Sequence, residues 1–209
     1  MESNLLGDRV DDILRTALSE AGEELVVVNP TGDGLESLID VASERDDLPY
    51  IRVLAEERTL KDVMDDFIVA SNAAVLIEDD VLAFRTVEDG PENALLVTDE
   101  RVVAIVDAGT QVAGLVSEED DFIGAANDRF ESDWEDAEEY SLRTPSIERV
   151  RETLADDISP EAEEDFSTIL ESLETARGDG DGLDEVTISL LVAAKNEALL
   201  YDISKWGED

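Results

Sequence analysis

The chain has 209 residues, with 56 acidic against 15 basic side chains, and its formal net charge at pH 7 is −41. This length fits one domain of ordinary size with a small second one, and an apolar fraction of 43%, spread periodically along the chain, is enough to bury a core. Because the chain contains neither cysteine nor histidine, its composition excludes disulfides, thiolate metal sites, catalytic thiols and every mechanism that needs a histidine.

The acidic residues run along the whole chain, and only three lysines are present: Lys61, Lys195 and Lys205. A uniform carboxylate surface is typical of proteins from halophiles, because concentrated salt screens the repulsion between the charges. No apolar run approaches transmembrane length, and the N-terminus lacks the pattern of a signal peptide. We therefore expect a cytoplasmic protein with no membrane segment.

The first third of the chain alternates helical and strand patterns. Apolar residues at helical spacing over residues 5–18 predict a helix, and "EELVVVNP" predicts a buried strand. A helix over residues 35–43, a strand "YIRVLA" and a helix over residues 60–70 follow. This alternation indicates a parallel sheet with right-handed crossovers.

The pattern then changes to strands in close succession. "AAVLI", "VLAFRTV", "ALLVTD" and "RVVAIVD" are joined by connections so short that they predict antiparallel hairpins, and "QVAGLVS" follows. A helix over about residues 117–140 places Phe122, Ala126, Phe130 and Trp134 on one face, which we interpret as core packing. The prediction for residues 1–141 is therefore one α/β domain with a mixed sheet, parallel in its first half and antiparallel in its second.

The rest of the chain is predicted to be helical. Helices over residues 147–155 and 160–176 form a segment, residues 146–177, whose amphipathic pattern favours a connector or a homodimer contact. "RGDGDGLD" then separates this segment from residues 184–209. A calcium loop that starts at Asp179 would have leucines at two ligand positions, so we predict a flexible joint and no metal site.

The loop "NPTGDG" after the first predicted strand is open to two interpretations. It is either an ordinary strand-to-helix turn or part of an effector pocket, because backbone amides at such a turn can hold an anion. It does not match the G-x-G-x-x-G pattern of dinucleotide-binding loops. The effector-pocket candidates for a small-molecule metabolite are Asn29, Thr31, Gly32, Asp33 and Gly34.

The end of the chain, "DEVTISLLVAAKNEALLYDISKWGED", contains two apolar helical stripes separated at Lys195 and Asn196. The pattern alone leaves two interpretations open: a helical hairpin that packs on its own connector, or the first two helices of a winged helix-turn-helix. In that module the third helix enters the major groove of DNA. The candidates for contacts to the DNA backbone are Lys195 and Lys205, supported by Trp206.

The stretch "SIERVRETLADDISPEAEEDFSTILESLETARGDGDGLDEVTISLLVAAKNEALLYDISKWGED" resembles the haloarchaeal TbsP family of transcriptional regulators, as do "EELVVVNPTGDGLESLIDVASE" and "LLVTDERVVAIVDAG". The resemblance implies a regulator of sugar and central carbon metabolism that binds promoter DNA through a C-terminal winged helix. In that family a further helix and a basic wing follow "DISKWGED". We therefore expect residues 184–209 to be a truncated winged helix, and this chain to bind promoter DNA weakly or not at all.

The N-terminal domain resembles, more distantly, the phospholipase-D-like effector domains of archaeal sugar-responsive regulators. Phospholipase D chemistry needs a histidine nucleophile, and this chain has none, so we predict neither an enzyme nor a cofactor. The alternative function is a stand-alone metabolite-sensing or protein-partner-binding module that does not contact DNA.

Overall fold

The computed structural model describes residues 4–88, 90–91 and 93–171. The strands in these ranges are, in chain order, β1 (Leu5–Gly7), β2 (Glu24–Val28), β3 (Tyr50–Ala55), β4 (Leu82–Thr86), β5 (Leu95–Val97), β6 (Val102–Asp107), β7 (Val112–Ser117) and β8 (Glu138–Glu139). The helices in the same ranges are α1 (Val10–Glu20), α2 (Gly32–Ser43), α3 (Glu57–Met64), α4 (Phe67–Glu78), α5 (Asp120–Asp136), α6 (Ile147–Asp157) and α7 (Pro160–Glu171).

The strands form one mixed sheet in the order β1-β7-β6-β5-β2-β3-β4-β8. β2, β3 and β4 are parallel to one another, with α2 and then α3 and α4 as the crossover connections. β5, β6 and β7 follow one another as antiparallel hairpins. The predicted fold class, a mixed sheet that is parallel first and antiparallel later and is followed by helices, is confirmed.

The central strand β2 is covered on both faces of the sheet. Val26 and Val28 pack with α5 on one face, and all four residues from 25 to 28 are at most 5% exposed. On the opposite face α1 contacts β1 and β7 and lies beside α2. A Cβ atom on Gly114 of β7 would lie 2.8 Å from Cγ1 of Val103 and 3.2 Å from Cγ2 of Ile13, so only glycine permits this approach of α1.

The amphipathic face predicted for α5 is correct except at its start. Phe130 is buried in the cluster with β2, and Ala126 and Trp134 pack against that cluster. Phe122 is 54% exposed, so the expectation that it packs in the core is wrong. Its neighbour Ile123 takes the core position in the first turn of the helix instead.

The predicted strand "AAVLI" is wrong, because residues 73–77 lie within α4. A short apolar run does not show whether it is a strand or a buried helix, since a buried helix is apolar on all sides. Ala70 and Ala73 are completely buried, and alanine has the highest helix propensity of any residue. The predicted helix over residues 60–70 is in fact divided between α3 and α4.

The division between α3 and α4 depends on a buried carboxylate. Oδ1 of Asp66 accepts hydrogen bonds from the backbone N–H of Ile68 at 2.9 Å and of Val69 at 3.5 Å, and its carbonyl accepts from Ala70. Asp66 is 2% exposed. An aspartate in this position satisfies donors that the first turn of a helix otherwise leaves unpaired.

The helix predicted over residues 5–18 begins only at Val10, because Leu5–Gly7 forms β1 and pairs with β7. This pairing joins residues more than a hundred positions apart, so local periodicity does not predict it. A Cβ atom on Gly7 would lie 2.8 Å from the Cβ of Asp12. Glycine therefore lets the chain turn tightly between the strand and the helix.

The chain divides into two compact units. One contains Met1–Val63 and Leu76–Leu142, and the other contains Met64–Val75 and the chain from Arg143 onward. The boundaries thus fall at the end of α3, inside α4 and after Leu142, and the first two were not predicted from the sequence. The predicted divisions at residues 141, 146, 177 and 184 remain predictions.

The second unit has its own apolar cluster, in which two residues from the start of α4 pack with residues of α6 and α7. The rings of Phe67 and Phe166 meet edge to face, with 6.5 Å between their centroids. The other buried members are Leu154, Ala162 and Leu170. The partly buried members are Ile68, Ile147, Val150, Ile158 and Ile169.

We expect Phe166→Ala to lower the free energy of unfolding by about 3–5 kcal/mol, because it removes a fully buried aromatic ring and leaves a cavity. Phe122→Ala is the matched control, and its exposed ring should cost less than about 1 kcal/mol. Guanidinium unfolding followed by circular dichroism measures both. Equal losses for the two variants would contradict the assignment of Phe166 to a core.

Candidate functional site

The loop after β2 starts at Asn29, whose backbone is in the left-handed region at a φ of 47°. This conformation is strained for most L-residues, and asparagine is one of the few non-glycine residues that adopt it readily. The Asn29 N–H donates to the carbonyl oxygen of Leu54 at 2.7 Å. Asn29 therefore continues the pairing with β3 while it turns the chain away from the sheet.

The Asn29 side chain connects two loops. Its Nδ2 donates to the carbonyl oxygen of Pro91 at 2.6 Å, across 62 residues of sequence. A Cβ atom on Gly90 would lie 3.2 Å from Cβ and Cγ of Asn29, so the two chain segments are in close contact. The segment before β5 is thus part of this edge of the sheet, and sequence analysis did not identify it.

Thr31 and Gly34 form the N-terminal cap of α2. Oγ1 of Thr31 accepts a hydrogen bond from the Gly34 N–H at 3.1 Å, and its carbonyl accepts from Leu35 at 2.9 Å. A Cβ atom on Gly34 would lie only 3.1 Å from Oγ1 of Thr31. The glycine therefore allows the cap to close, which is the structure expected of a strand-to-helix turn.

Gly32 and Asp33 complete the first turn of α2. The Asp33 side chain is exposed, and the helix dipole favours its negative charge in this position. The structure thus brings the five predicted effector residues together in one turn. Asn29, Thr31 and Gly34 hold that turn in shape, and an anionic ligand would meet the carboxylate of Asp33. The role of the five residues in effector binding remains a prediction.

A cleft of about 510 Å³ lies at the same edge of the sheet, beyond β3 and β4. None of the five predicted effector residues lines it. Five of its eight lining residues are acidic: Glu57, Glu88, Asp133, Asp136 and Glu138, together with Thr86, Val87 and Ala137. Within the described ranges no three acidic side chains are placed to hold a metal ion. The five acidic residues give the cleft a negative charge, which disfavours phosphates and carboxylates as ligands.

Two arginines lie over Trp134, next to the residues that line the cleft. The guanidinium carbons of Arg52 and Arg85 lie 5.3 Å and 4.8 Å from the centroid of the ring, within the range of cation–π attraction. Arg85 also donates to the Trp134 carbonyl oxygen, so the ring and the end of α5 are held against β4.

Arg52 also joins two carboxylates, with 2.7 Å from Nη1 to Oε2 of Glu131 and 2.7 Å from Nη2 to Oε2 of Glu24. Its pKa is lowered by desolvation, but the hydrogen bond and charge of Glu131 and the charge of Glu24 outweigh this effect and raise the pKa above its usual value.

Tyr140 packs beside Phe84, with a perpendicular ring arrangement and 6.4 Å between the centroids. Burial raises its pKa, the charge of Glu57 raises it further, and the charge of Lys61 lowers it. The phenol is therefore protonated at neutral pH and remains a hydrogen-bond donor.

The second unit contains the helices of the segment predicted as a connector or homodimer contact, residues 146–177. Oγ of Ser146 accepts from the Arg149 N–H at 3.4 Å and caps α6, and Oγ of Ser159 accepts from the Ala162 N–H at 3.2 Å and caps α7. Only Ile158 and Ser159 separate the two helices. The predicted DNA contacts Lys195, Lys205 and Trp206, and the segment 184–209, lie outside the described residues.

Comparison with known families identifies both parts of the chain. Residues 2–145 match the N-terminal domain of TbsP-like transcriptional regulators. Residues 146–209 match the C-terminal helix-turn-helix domain of the same regulators. The chain belongs to the TbsP-like family of transcriptional regulators. The match assigns it to a family of regulators and not of enzymes, and it places α6 and α7 within the helix-turn-helix domain.

About two thirds of the chain also resembles solved structures of low sequence identity. One is TrmBL2, an archaeal chromatin protein, at 15% identity and a TM-score of 0.46, covering 66% of this chain and 54% of TrmBL2. Another is Nuc, a phospholipase D family member from Salmonella typhimurium, at 10% identity and a TM-score of 0.45, covering 66% of this chain and 97% of Nuc. This chain thus spans about half the length of TrmBL2. No protein of curated function matches it.

None of the helices in the described ranges combines the length and the apolar character that a membrane span requires.

We expect Asn29→Ala to cost about 2–3 kcal/mol of folding free energy, because alanine loses the hydrogen bond to Pro91 and is strained at positive φ. Asn29→Gly keeps the backbone conformation and loses only the hydrogen bond, so it should cost about 1 kcal/mol. Chemical unfolding of the two variants measures the difference. A glycine variant as unstable as the alanine variant would show that the left-handed backbone is not the constraint.

Proposed function

We propose that this TbsP-like regulator controls genes of sugar and central carbon metabolism in a halophilic archaeon, where it acts in the cytoplasm. In this proposal the N-terminal α/β unit senses a metabolite, and the helix-turn-helix domain binds promoter DNA. The observation that carries the proposal is the match of residues 146–209 to the family's helix-turn-helix domain, whose first helices, α6 and α7, share one apolar cluster with the start of α4.

The charge distribution within the second unit indicates where DNA contacts belong. α7 has no basic side chain and carries Glu161, Glu163, Glu164 and Asp165, which phosphate groups repel. α6 has Arg149 and Arg151 among acidic neighbours. Both lysines of the C-terminal half, Lys195 and Lys205, come after α7. This distribution supports phosphate contacts from the part of the domain that follows α7, with Trp206 beside them.

The excess of carboxylates supports a halophilic origin. At 1 M salt the Debye length is about 3 Å, so the repulsion between this acidic chain and DNA is screened beyond direct contact. The same salt weakens binding that depends on counterion release. Under these conditions a small number of well-placed contacts determines binding, rather than a broad basic surface.

The carboxyl edge of the parallel strands supports a sensor function, because ligands of open α/β sheets bind at this edge. The loop of Asn29 and the acidic cleft both lie there. Asp33, Glu57 and Glu88 give this edge a negative charge. These features favour a neutral polyhydroxy metabolite over a phosphorylated one.

One observation favours the alternative, a metabolite-sensing or protein-partner-binding module that does not contact DNA. The formal charge of −41 opposes association with a polyanion, and each strand of DNA adds one negative charge per nucleotide. A test in living cells decides between the two functions, because the protein then acts at its natural salt concentration and with its natural ends.

We expect chromatin immunoprecipitation of the natural protein to enrich promoters of sugar-metabolism genes. Replacement of both Lys195 and Lys205 by alanine should abolish this enrichment, because each lysine neutralises a phosphate. Lys61→Ala is the matched control, since Lys61 lies on α3 in a pair with Glu57. Absence of enrichment for the wild-type protein would favour the module without DNA contact, and unchanged enrichment for the double variant would reject these two lysines.

We expect isothermal titration to detect a neutral sugar, and to show at least about tenfold weaker binding of its phosphate ester because of the acidic edge. Asp33→Asn should reduce this difference. Asp46→Asn, an exposed aspartate in the loop before β3, is the control and should leave it unchanged. Tighter binding of the phosphate ester would contradict the proposed preference.

A further inference from the structure

The basic side chains of the first unit all have a partner within that unit. Two of them donate to backbone carbonyl oxygens, Arg45 to that of Arg15 and Arg85 to that of Trp134. The others form ion pairs with carboxylates: Arg9, Arg15, Arg52, Arg58, Lys61, Arg101 and Arg129. Such saturation is expected in a chain with 56 acidic and 15 basic residues.

The arginines that the structure describes in the second unit behave differently. They are Arg143, Arg149 and Arg151, and they belong to the chain from Arg143 onward. Within the described ranges, none of their guanidinium groups forms an ion pair or a hydrogen bond, and Nε of Arg151 is buried without an acceptor. Arginines without a partner are unexpected where carboxylates are in such excess.

Sequence spacing explains why Arg149 has no partner on its own helix. Exposed basic residues on helices of the first unit have a carboxylate four residues away, as Lys61 has Glu57. Two arginines of that unit follow the same rule. In contrast, the residues four positions before and after Arg149 are Pro145 and Thr153, and neither is acidic. Its guanidinium group therefore stays available to a partner from outside the chain.

Arg143 and Arg149 are exposed, whereas Arg151 is partly buried. Val150 and Leu154 turn one face of α6 into the apolar cluster of the second unit. Because successive residues of a helix are rotated by about 100°, Arg149 lies on a different face and points away from this cluster. Arg143 lies in the non-helical segment directly before α6. Two free guanidinium groups are thus accessible at the start of the helix-turn-helix domain.

The chemistry of the two groups favours phosphate as their partner. The planar guanidinium group presents parallel N–H donors that match two oxygens of a phosphate. Carboxylates of a second copy are a poorer choice, because two chains with a net charge of −41 repel each other. α6 also belongs to a domain of the helix-turn-helix class, which binds DNA.

The nearest carboxylates on α6 do not prevent such a contact. Glu148 and Glu152 flank Arg149 in sequence, yet neither forms an ion pair with it within the described ranges. At 1 M salt their repulsion of a phosphate is screened beyond about 3 Å, while a direct hydrogen bond from the guanidinium group persists.

We propose that Arg143 and Arg149 bind phosphates of the DNA backbone. This inference rests on the proposed function and extends it, because it gives the start of α6 a part in DNA binding alongside the residues that follow α7. Phosphate contacts of this kind fix the position of a protein on the duplex without reading its sequence. A DNA duplex of mixed sequence is therefore a sufficient probe.

Fluorescence anisotropy of the natural protein with a labelled mixed-sequence duplex, over a series of KCl concentrations, tests the proposal. We expect the double variant Arg143→Gln with Arg149→Gln to bind about tenfold more weakly or less, because two charge-assisted hydrogen-bonding groups are lost. The slope of log K against log[KCl] should fall in magnitude by about 1.8, which is about 0.9 for each phosphate contact.

Two variants control for effects on folding and on overall charge. Arg58→Gln removes an arginine that is 88% exposed in the first unit and paired with Asp62, and it should leave both the affinity and the slope unchanged. Replacement of Arg143 and Arg149 by lysine keeps both charges and should keep the slope of the wild-type protein. Circular dichroism establishes that each variant is folded.

The inference and the proposed function fail separately. Wild-type binding with an unchanged slope in the glutamine variant rejects the two arginine contacts and leaves the DNA-binding regulator intact. An equal loss in the lysine variant would assign the arginines a structural role and overturn the proposal. A loss of mass in sedimentation equilibrium without a loss of DNA affinity would assign them to a protein partner instead. A wild-type protein that binds no DNA rejects both the proposed function and this inference.

Discussion

Repulsion among carboxylates is the constraint on which the rest of this structure depends. With 15 basic against 56 acidic residues, most carboxylates have no cation to pair with and must stay in water. The core is accordingly built mainly from aliphatic side chains, and two largely buried arginines each join two acids that are distant in sequence. Arg52, 12% exposed, connects Glu24 with Glu131, and Arg101, 21% exposed, contacts Glu20 and Glu118.

Repulsion among carboxylates also makes surfaces that lack charge unusual on this protein. An exposed leucine is ordinary on a protein of average composition, but a group of exposed aliphatic residues on one sheet face is unusual where a third of the chain is charged. The carboxyl edge of the parallel strands shows the opposite property, because five acidic side chains line the cleft and Asp33 is exposed in the loop that begins at Asn29.

Sequence periodicity identified most elements, and its errors have physical causes. "AAVLI" has no period that separates a strand from a buried helix, and residues 73–77 prove to be helical. β1 was missed because it is defined by its pairing with β7, which local sequence does not encode. The turn "NPTGDG" was located correctly, but the contact from Asn29 to Pro91 was not, since a hydrogen bond across 62 residues leaves no pattern in the sequence.

The sequence by itself determined the mixed α/β class and the absence of histidine and cysteine chemistry, and it indicated the family of regulators, because these follow from composition, periodicity and motif. Only the tertiary structure decided which apolar residues are covered. Phe122 and Phe130 share one predicted helical face, yet one is exposed and the other is buried. The reason is that burial depends on which neighbour packs against a side chain: Phe130 joins the cluster between α5 and β2, and Ile123 takes the place in that cluster predicted for Phe122.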